Sequence, residues 1–192
     1  DKGGVRAYLA IMILTVGGWL LISYYPVFAE KRFGLTMRDS AVFTAVFMAG
    51  QMIGSVVSGF VGDRFGYAKV AVFAVGALTV GFLLAIWGSA STFYYTTAFT
   101  AGLYIVADRL ALFNLSMAFS PHEDNTAYLG AIPALTAPVL AVVAGSAGAF
   151  IDRFGFLNVA YVGLALALAA LYLVVFRLRE PRYSLAGRRK PA

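Results

Sequence analysis

Gly59-Phe60-Val61-Gly62-Asp63-Arg64-Phe65-Gly66-Tyr67 returns later in the chain as Gly148-Ala149-Phe150-Ile151-Asp152-Arg153-Phe154-Gly155-Phe156. Both stretches read G-x-x-x-D-R-F-G-aromatic, with five of nine positions identical. Charges that stop an apolar helix, and a glycine that caps it, are also ordinary helix-end punctuation. Each copy, however, ends one long apolar run and opens the next. The fold therefore turns on what those runs are.

Their extent decides the class. Of 192 residues 61% are hydrophobic and 12% charged, with mean hydropathy +0.82. A soluble domain is about half apolar and about a quarter charged. The excess here spreads over the whole length, so a single buried core cannot absorb it and lipid can. The net charge of +6 does not indicate nucleic acid, because too few charges remain outside the apolar runs to form a phosphate-binding face. Beside membrane segments a cationic excess is a topology signal. With no cysteine there is no disulfide framework or thiolate metal site.

A bilayer core of about 30 Å needs about 20 apolar residues per helix. Six runs qualify: Ala7–Phe28, Ser40–Gly62, Ala68–Gly88, Thr92–Phe119, Ala127–Ile151 and Phe156–Arg177. They are continuous rather than alternating, which predicts helices, not a barrel. The expected fold is an all-α membrane protein of six transmembrane helices over residues 1–182. A basic cytoplasmic tail follows over 183–192. Six spans put both termini on one side, with Lys2, Arg6, Arg64, Lys69, Arg177, Arg179, Arg182, Arg188, Arg189 and Lys190. Only Lys31, Arg32, Arg38 and Arg153 fall on the other. That asymmetry places both termini in the cytoplasm, in a plasma or inner membrane. Tyr24, Tyr25, Trp87, Phe93, Tyr94 and Tyr95 then lie at the outer ends, where they read as interface anchors.

Three spans separate the two D-R-F-G copies. An odd number of crossings puts them on opposite faces, as in an inverted 3+3 repeat; the units are about 1–90 and 91–182. Gly59-x-x-x-Asp63-Arg64-x-Gly66-x-x-Lys69 resembles motif A, G-x-x-x-D-[RK]-x-G-[RK]-[RK], of the major facilitator superfamily (MFS). Tyr67-Ala68 departs from its basic pair, and Lys69 takes over part of that role. The second copy, Gly148, Asp152, Arg153 and Gly155, resembles a variant at the outer end of the fifth helix of C-terminal halves. Ser120-Pro121-His122-Glu123-Asp124 resembles the family's inner loop between its fourth and fifth helices.

The resemblance implies one six-helix half of a secondary active transporter that moves a small solute by alternating access. The basic tail, which looks like a chain terminus, favours the C-terminal half. The implied partners are the lipid bilayer, the other six-helix half or a second copy, a small-molecule substrate, and a coupling proton or ion. The motif's Asp63 would contact the other half and steady one conformation. A self-contained half-transporter or channel-like bundle acting as a homodimer, and a non-transporting membrane scaffold, remain alternatives.

Small residues recur every four positions in the second run (Gly50, Gly54, Ser58, Gly62) and the fifth (Ala137, Ala141, Gly145, Ala149). Such stripes let helix backbones approach closely in lipid. They serve either packing within one bundle or, as the resemblance implies, the seam between halves. In the fourth run Thr97, Ala101, Tyr104, Asp108 and Ala111 share a partly polar face, and Arg109 follows Asp108. Intramembrane charges are costly, so this pair is the leading functional candidate. The cavity candidates are Thr97, Tyr104, Asp108 and Arg109, with Trp19, Ser23 and Tyr24 from the first run. Gln51 and Asn114 read as interhelical hydrogen-bond partners. Pro133 and Pro138 are expected to bend the fifth run, and Pro26 to end the first.

Nothing in the chain suggests an enzyme, a cofactor or a metal site. His122 is the only histidine and sits in a charged loop. Val56-Val57-Ser58-Gly59 lacks the first glycine of an intramembrane serine-protease nucleophile site, and there is no phosphate-cradling loop.

Overall fold

The computed structural model describes residues 2–18, 23–89, 91–119 and 125–178. Among these are seven helices and no strand. They are α1 (Lys2–Thr15), α2 (Tyr25–Phe33), α3 (Met37–Phe65), α4 (Tyr67–Trp87), α5 (Ser91–Phe119), α6 (Asn125–Phe154) and α7 (Phe156–Phe176). Five contain segments long and apolar enough to cross a membrane: Arg38–Phe65, Tyr67–Trp87, Thr92–Ala118, Ala134–Phe154 and Phe156–Phe176. These correspond to the second to sixth apolar runs. The helix of α6 continues through Pro133 and Pro138.

The first run is not the single helix expected over Ala7–Phe28. α1 stops at Thr15, and Val16–Gly17 forms a turn in which the Val16 N–H donates to the Ile13 carbonyl at 3.4 Å. The Gly17-Gly18 pair explains the break, since each glycine in a helix costs about 0.5–1 kcal/mol relative to alanine. Pro26 does not end this segment. It stands in the first turn of α2, where its missing N–H is not needed.

α5 lies along both α3 and α4, α4 also packs on α7, and α1 rests on α7. The closest approach is between α3 and α5. A Cβ on Gly50 would meet the Phe99 carbonyl and lie 3.3 Å from the Gly102 Cα, and one on Gly54 would lie 3.2 Å from the Leu103 Cα. The rising pairs 50–99 and 54–103 show that the two helices run parallel. At their N-terminal ends the Tyr95 hydroxyl donates to Asp39 Oδ1 at 2.8 Å. Asp39 Oδ2 accepts from the Thr36 N–H and hydroxyl at 2.8 and 2.7 Å. Gly50, Gly54, Ser58 and Gly62 are all buried. This stripe therefore faces α5 or the α4 start, with Gly62 beneath the Tyr67 ring, and not an outer seam.

The D-R-F-G copies adopt matching geometry. Gly66 (φ 92°, ψ 160°) is the one residue between α3 and α4, and Gly155 (φ 80°, ψ 149°) the one between α6 and α7. Only glycine adopts this backbone region freely. The Gly66 N–H donates to the Gly62 carbonyl at 3.0 Å, and that of Gly155 to the Ile151 carbonyl at 2.8 Å. Each arginine lies over the ring of the next residue, Arg64 over Phe65 and Arg153 over Phe154, both at 5.6 Å. The copies stand at opposite ends of the bundle. Gly66 closes the C-terminal end of α3. Phe156 instead packs on Tyr25, which packs on Tyr94 beside the Asp39–Tyr95 end.

This aromatic cluster corrects the reading of Tyr25 and Tyr94 as interface anchors. Each is only 1% exposed. Trp87, at 62% exposed, does face outward.

Candidate functional site

Asp108 and Arg109 stand in α5, about 15 and 13 Å from the Ala118 end of its span at 1.5 Å per residue. Asp108 is half-buried and Arg109 exposed. The two border a pocket of about 80 Å³ with Thr15, Tyr104, Thr136 and Leu140, so α1, α5 and α6 meet there. The volume has room for about two waters. Tyr104 is positioned from α1, its hydroxyl donating to the Thr15 carbonyl at 3.1 Å. Its ring fills the space over Gly18, where a Cβ would lie 2.6 Å from it. Tyr8 holds the middle of α1 to α5, donating to the Leu112 carbonyl at 2.9 Å. A carboxylate, a guanidinium and hydroxyl groups around one small pocket can hold a proton, a cation or a polar solute group.

Of the other cavity candidates, none of the described ones borders this pocket. Thr97 is buried and donates to the Phe93 carbonyl in its own helix at 2.8 Å. Ser23 is exposed. The Tyr24 hydroxyl donates to the Ala144 carbonyl of α6 at 3.2 Å, toward the Asp39–Tyr95 end. Trp19 lies outside the described residues, as do His122 and its neighbours in 120–124. Among the described residues Asn114 bonds within its own helix, its amide donating to the Leu110 carbonyl in α5 at 2.9 Å. The contributions of Thr15 and Thr136 were missed. Their only sequence signal is a hydroxyl in an apolar run.

On the other side of α5 a groove of about 550 Å³ opens toward α3. Arg109 borders it too, with Gln51, Ser55 and Gly59 of α3 and Ile105, Leu110 and Phe113 of α5. A Cβ on Gly59 would meet nothing within 4 Å, so this glycine leaves room in the groove. In the same motif Asp63 and Arg64 are exposed, and Arg64 also lies 5.9 Å from the Phe60 ring. In the second copy Gly148 lies 3.6 Å, measured from its would-be Cβ, from the Tyr24 hydroxyl. Asp152 and Arg153 are exposed. Among the described residues no three histidine or acidic side chains come together as a metal site.

The two stripes of small residues also part company. Gly50, Gly54, Ser58 and Gly62 are covered within the chain, whereas Ala137, Ala141, Gly145 and Ala149 on α6 are exposed. The outer side of α3 carries larger apolar groups: Met48, Met52 (72% exposed), Val56 (74%) and Phe60.

No curated protein matches the chain. The model of one family, described as the Major Facilitator Superfamily, matches residues 7–191. Helices of transmembrane length, a charged pair deep within one of them and this match over nearly the whole length agree. The chain belongs to the Major Facilitator Superfamily, a family of multi-pass membrane transporters that carry small molecules.

Proposed function

We propose that the chain is one six-helix half, the C-terminal one, of a secondary active transporter that moves a small solute by alternating access. The observation that carries this reading is the Asp108–Arg109 pair, held inside an apolar span beside a pocket where three helices meet. Charges at such depth cost several kcal/mol unless they are paired or wetted, which a solute or ion pathway accounts for. In this reading α1 and α2 together make the first of the six spans, and Asp108 carries a coupling proton or ion.

A 3+3 inverted architecture is supported by the shared geometry of Gly66 and Gly155 at opposite ends of the bundle. Helix lengths repeat as well, 29 and 21 residues in α3 and α4 against 30 and 21 in α6 and α7. The seam with the other half is the exposed side of α6 (Ala137, Ala141, Gly145, Ala149) with the Met48–Met52–Val56–Phe60 side of α3. A second copy of the chain would cover the same faces. The asymmetry of basic residues supports cytoplasmic termini in a plasma or inner membrane. Asp63, Arg64 and Lys69 then lie at the cytoplasmic face, where Asp63 steadies one conformation by contact with a helix N-terminus across the seam.

Uptake of candidate solutes into vesicles containing the intact protein tests the reading. Asp108→Asn and Arg109→Gln should each lower uptake at least about tenfold, the scale of one lost charged contact. Uptake unchanged in both variants, with normal insertion, refutes the assignment.

A further inference from the structure

The second D-R-F-G copy takes no part in the transport proposed above, yet a groove of about 480 Å³ opens beside it between α6 and α7. Its walls are apolar: Val143, Ala147, Phe150 and Phe154 of α6 with Val159 and Val162 of α7. The Phe150 and Phe154 rings stack at 5.9 Å along one wall. From Phe154 to Val143 the groove follows α6 for about 16 Å at 1.5 Å per residue. That is the depth of one leaflet's hydrocarbon, half of a core about 30 Å thick. The groove thus runs inward from the Gly155 turn, as an acyl chain does.

Polarity along the groove is graded. Ser146, in its deeper part, donates to the Val142 carbonyl of its own helix at 2.6 Å. Asn158, in the first turn of α7, donates to the Phe154 carbonyl at 2.7 Å and keeps an amide oxygen and a second N–H. At this same end the Arg153 guanidinium sits 5.6 Å from the centre of the Phe154 ring, so a positive charge rests on the groove wall. No acidic side chain borders the groove. Successive residues turn about 100° on a helix, which sets Asp152 on the side of the Ala141–Gly145–Ala149 stripe and Arg153 one step toward the groove. The α6 residues lining the groove centre about 175° around the helix from that stripe. A half or a second copy seated on the stripe therefore leaves the groove open to lipid. Only 6% of the apolar segment of α6 is buried within the chain, against 56% for α4, so a molecule lying between α6 and α7 adds contacts where the chain itself has few.

We propose that the α6–α7 groove is a site for one glycerophospholipid of the leaflet at the Gly155 end. One acyl chain lies along Phe150, Phe154 and Val162, and the phosphodiester accepts hydrogen bonds from Arg153 and Asn158. A guanidinium presents a planar fork that matches two phosphate oxygens, and basic groups between spans hold lipid headgroups in this way. The bound lipid braces α6 against α7. The site requires only that the chain spans a bilayer, and it stands or falls separately from the transport reading.

The probe is dimyristoyl phosphatidylcholine, titrated into the intact protein in detergent micelles, with bound lipids counted by native mass spectrometry. Dimyristoylglycerol has the same chains without the phosphate, and glycerophosphocholine has the headgroup without the chains. The tightest class of phosphatidylcholine sites should lose one lipid in Arg153→Gln, where that lipid binds at least about tenfold more weakly, the loss of one charge-assisted contact. Arg153→Lys should fall between. Val162→Phe places a ring in the groove and should remove the same lipid. Both Arg153 and Val162 are exposed, so the melting temperatures of the lipid-free variants should match that of the unaltered protein. Added phosphatidylcholine should raise the melting temperature of the unaltered protein more than that of either variant. Dimyristoylglycerol should bind at least about tenfold more weakly, and glycerophosphocholine should displace nothing. Dimyristoylglycerol bound as tightly as phosphatidylcholine overturns the proposal. So does a full count of tight lipids in Arg153→Gln and Val162→Phe variants of normal melting temperature. If Phe150→Cys and Val162→Cys instead cross-link to the other half or to a second copy, protein covers the groove and the lipid assignment is overturned.

Discussion

Replacing Gly102 by alanine would set a methyl group against the Phe47 carbonyl oxygen, 3.0 Å from the Gln51 nitrogen and 3.1 Å from the Gly50 Cα. All three are backbone atoms of α3, so no side-chain rotation can relieve the overlap. Carbon contacts settle at about 3.5–4.0 Å, and α3 and α5 must part by roughly 0.5–1 Å at this level. Overpacking of this kind costs about 1–3 kcal/mol. Alanine recovers about 1 kcal/mol through its better helix propensity, which leaves a net loss of about 0–2 kcal/mol, still about 1–3 kcal/mol below a glycine-to-alanine change that meets nothing. Gly50→Ala meets the Phe99 carbonyl in the same way. The double variant should lose less than the sum of the two, because the first methyl already parts the helices. Gly59→Ala and Gly145→Ala are the controls. A Cβ at either meets nothing within 4 Å, and each should be neutral or gain up to about 1 kcal/mol. Reversible unfolding in detergent micelles, followed by circular dichroism, ranks the variants. Gly50→Ala and Gly102→Ala as stable as Gly59→Ala would refute the close α3–α5 contact.

Gly66→Ala and Gly155→Ala should each lower stability by about 1–3 kcal/mol, since alanine strains at their backbone angles. Equal melting temperatures for these variants and the unaltered protein would contradict the shared turn geometry. The Ser58 hydroxyl is buried and has no hydrogen-bond partner among the described residues. Ser58→Ala should therefore be neutral or stabilising by up to about 1 kcal/mol, and a clear loss in unfolding experiments would mean the hydroxyl is satisfied. Asp63→Ala in the intact protein should weaken transport and shift the balance of conformations. Unchanged transport together with unchanged accessibility labelling would remove the conformational role proposed for Asp63.

Span positions from the second run onward were legible because hydropathy and helix-ending charges are properties of the chain alone. The break after Thr15 was not, because a count of apolar residues treats Gly17-Gly18 as membrane-compatible and ignores what two glycines cost a helix. Periodicity put Gly50, Gly54 and Ser58 on one face, but a face does not announce its neighbour. The neighbour is α5, which has its own gap at Gly102. The stripe on α6 has the same periodicity and no such cover. Helical geometry turns Asp108 and Arg109 about 100° apart. The length of arginine still lets Arg109 border both the small pocket and the α3–α5 groove, a reach that angular arguments from Cα positions omit. The tyrosines at the ends of the runs looked like interface anchors because an amphipathic ring suits either a wet interface or a satisfied core. Only packing distinguishes the buried Tyr25 and Tyr94 from the exposed Trp87.

The central claim, that Asp108 and Arg109 border a pathway opened to each face of the membrane in turn, can be read from one position. The chain has no cysteine, so Leu140→Cys in the pocket wall is its single reporter, placed in an intact protein whose other half has been freed of cysteine. Membrane-impermeant thiol reagents applied from either face of sealed vesicles should each modify it, and a transported solute should change the ratio of the two rates. Modification from one face only, with a rate that no solute alters, would contradict the account.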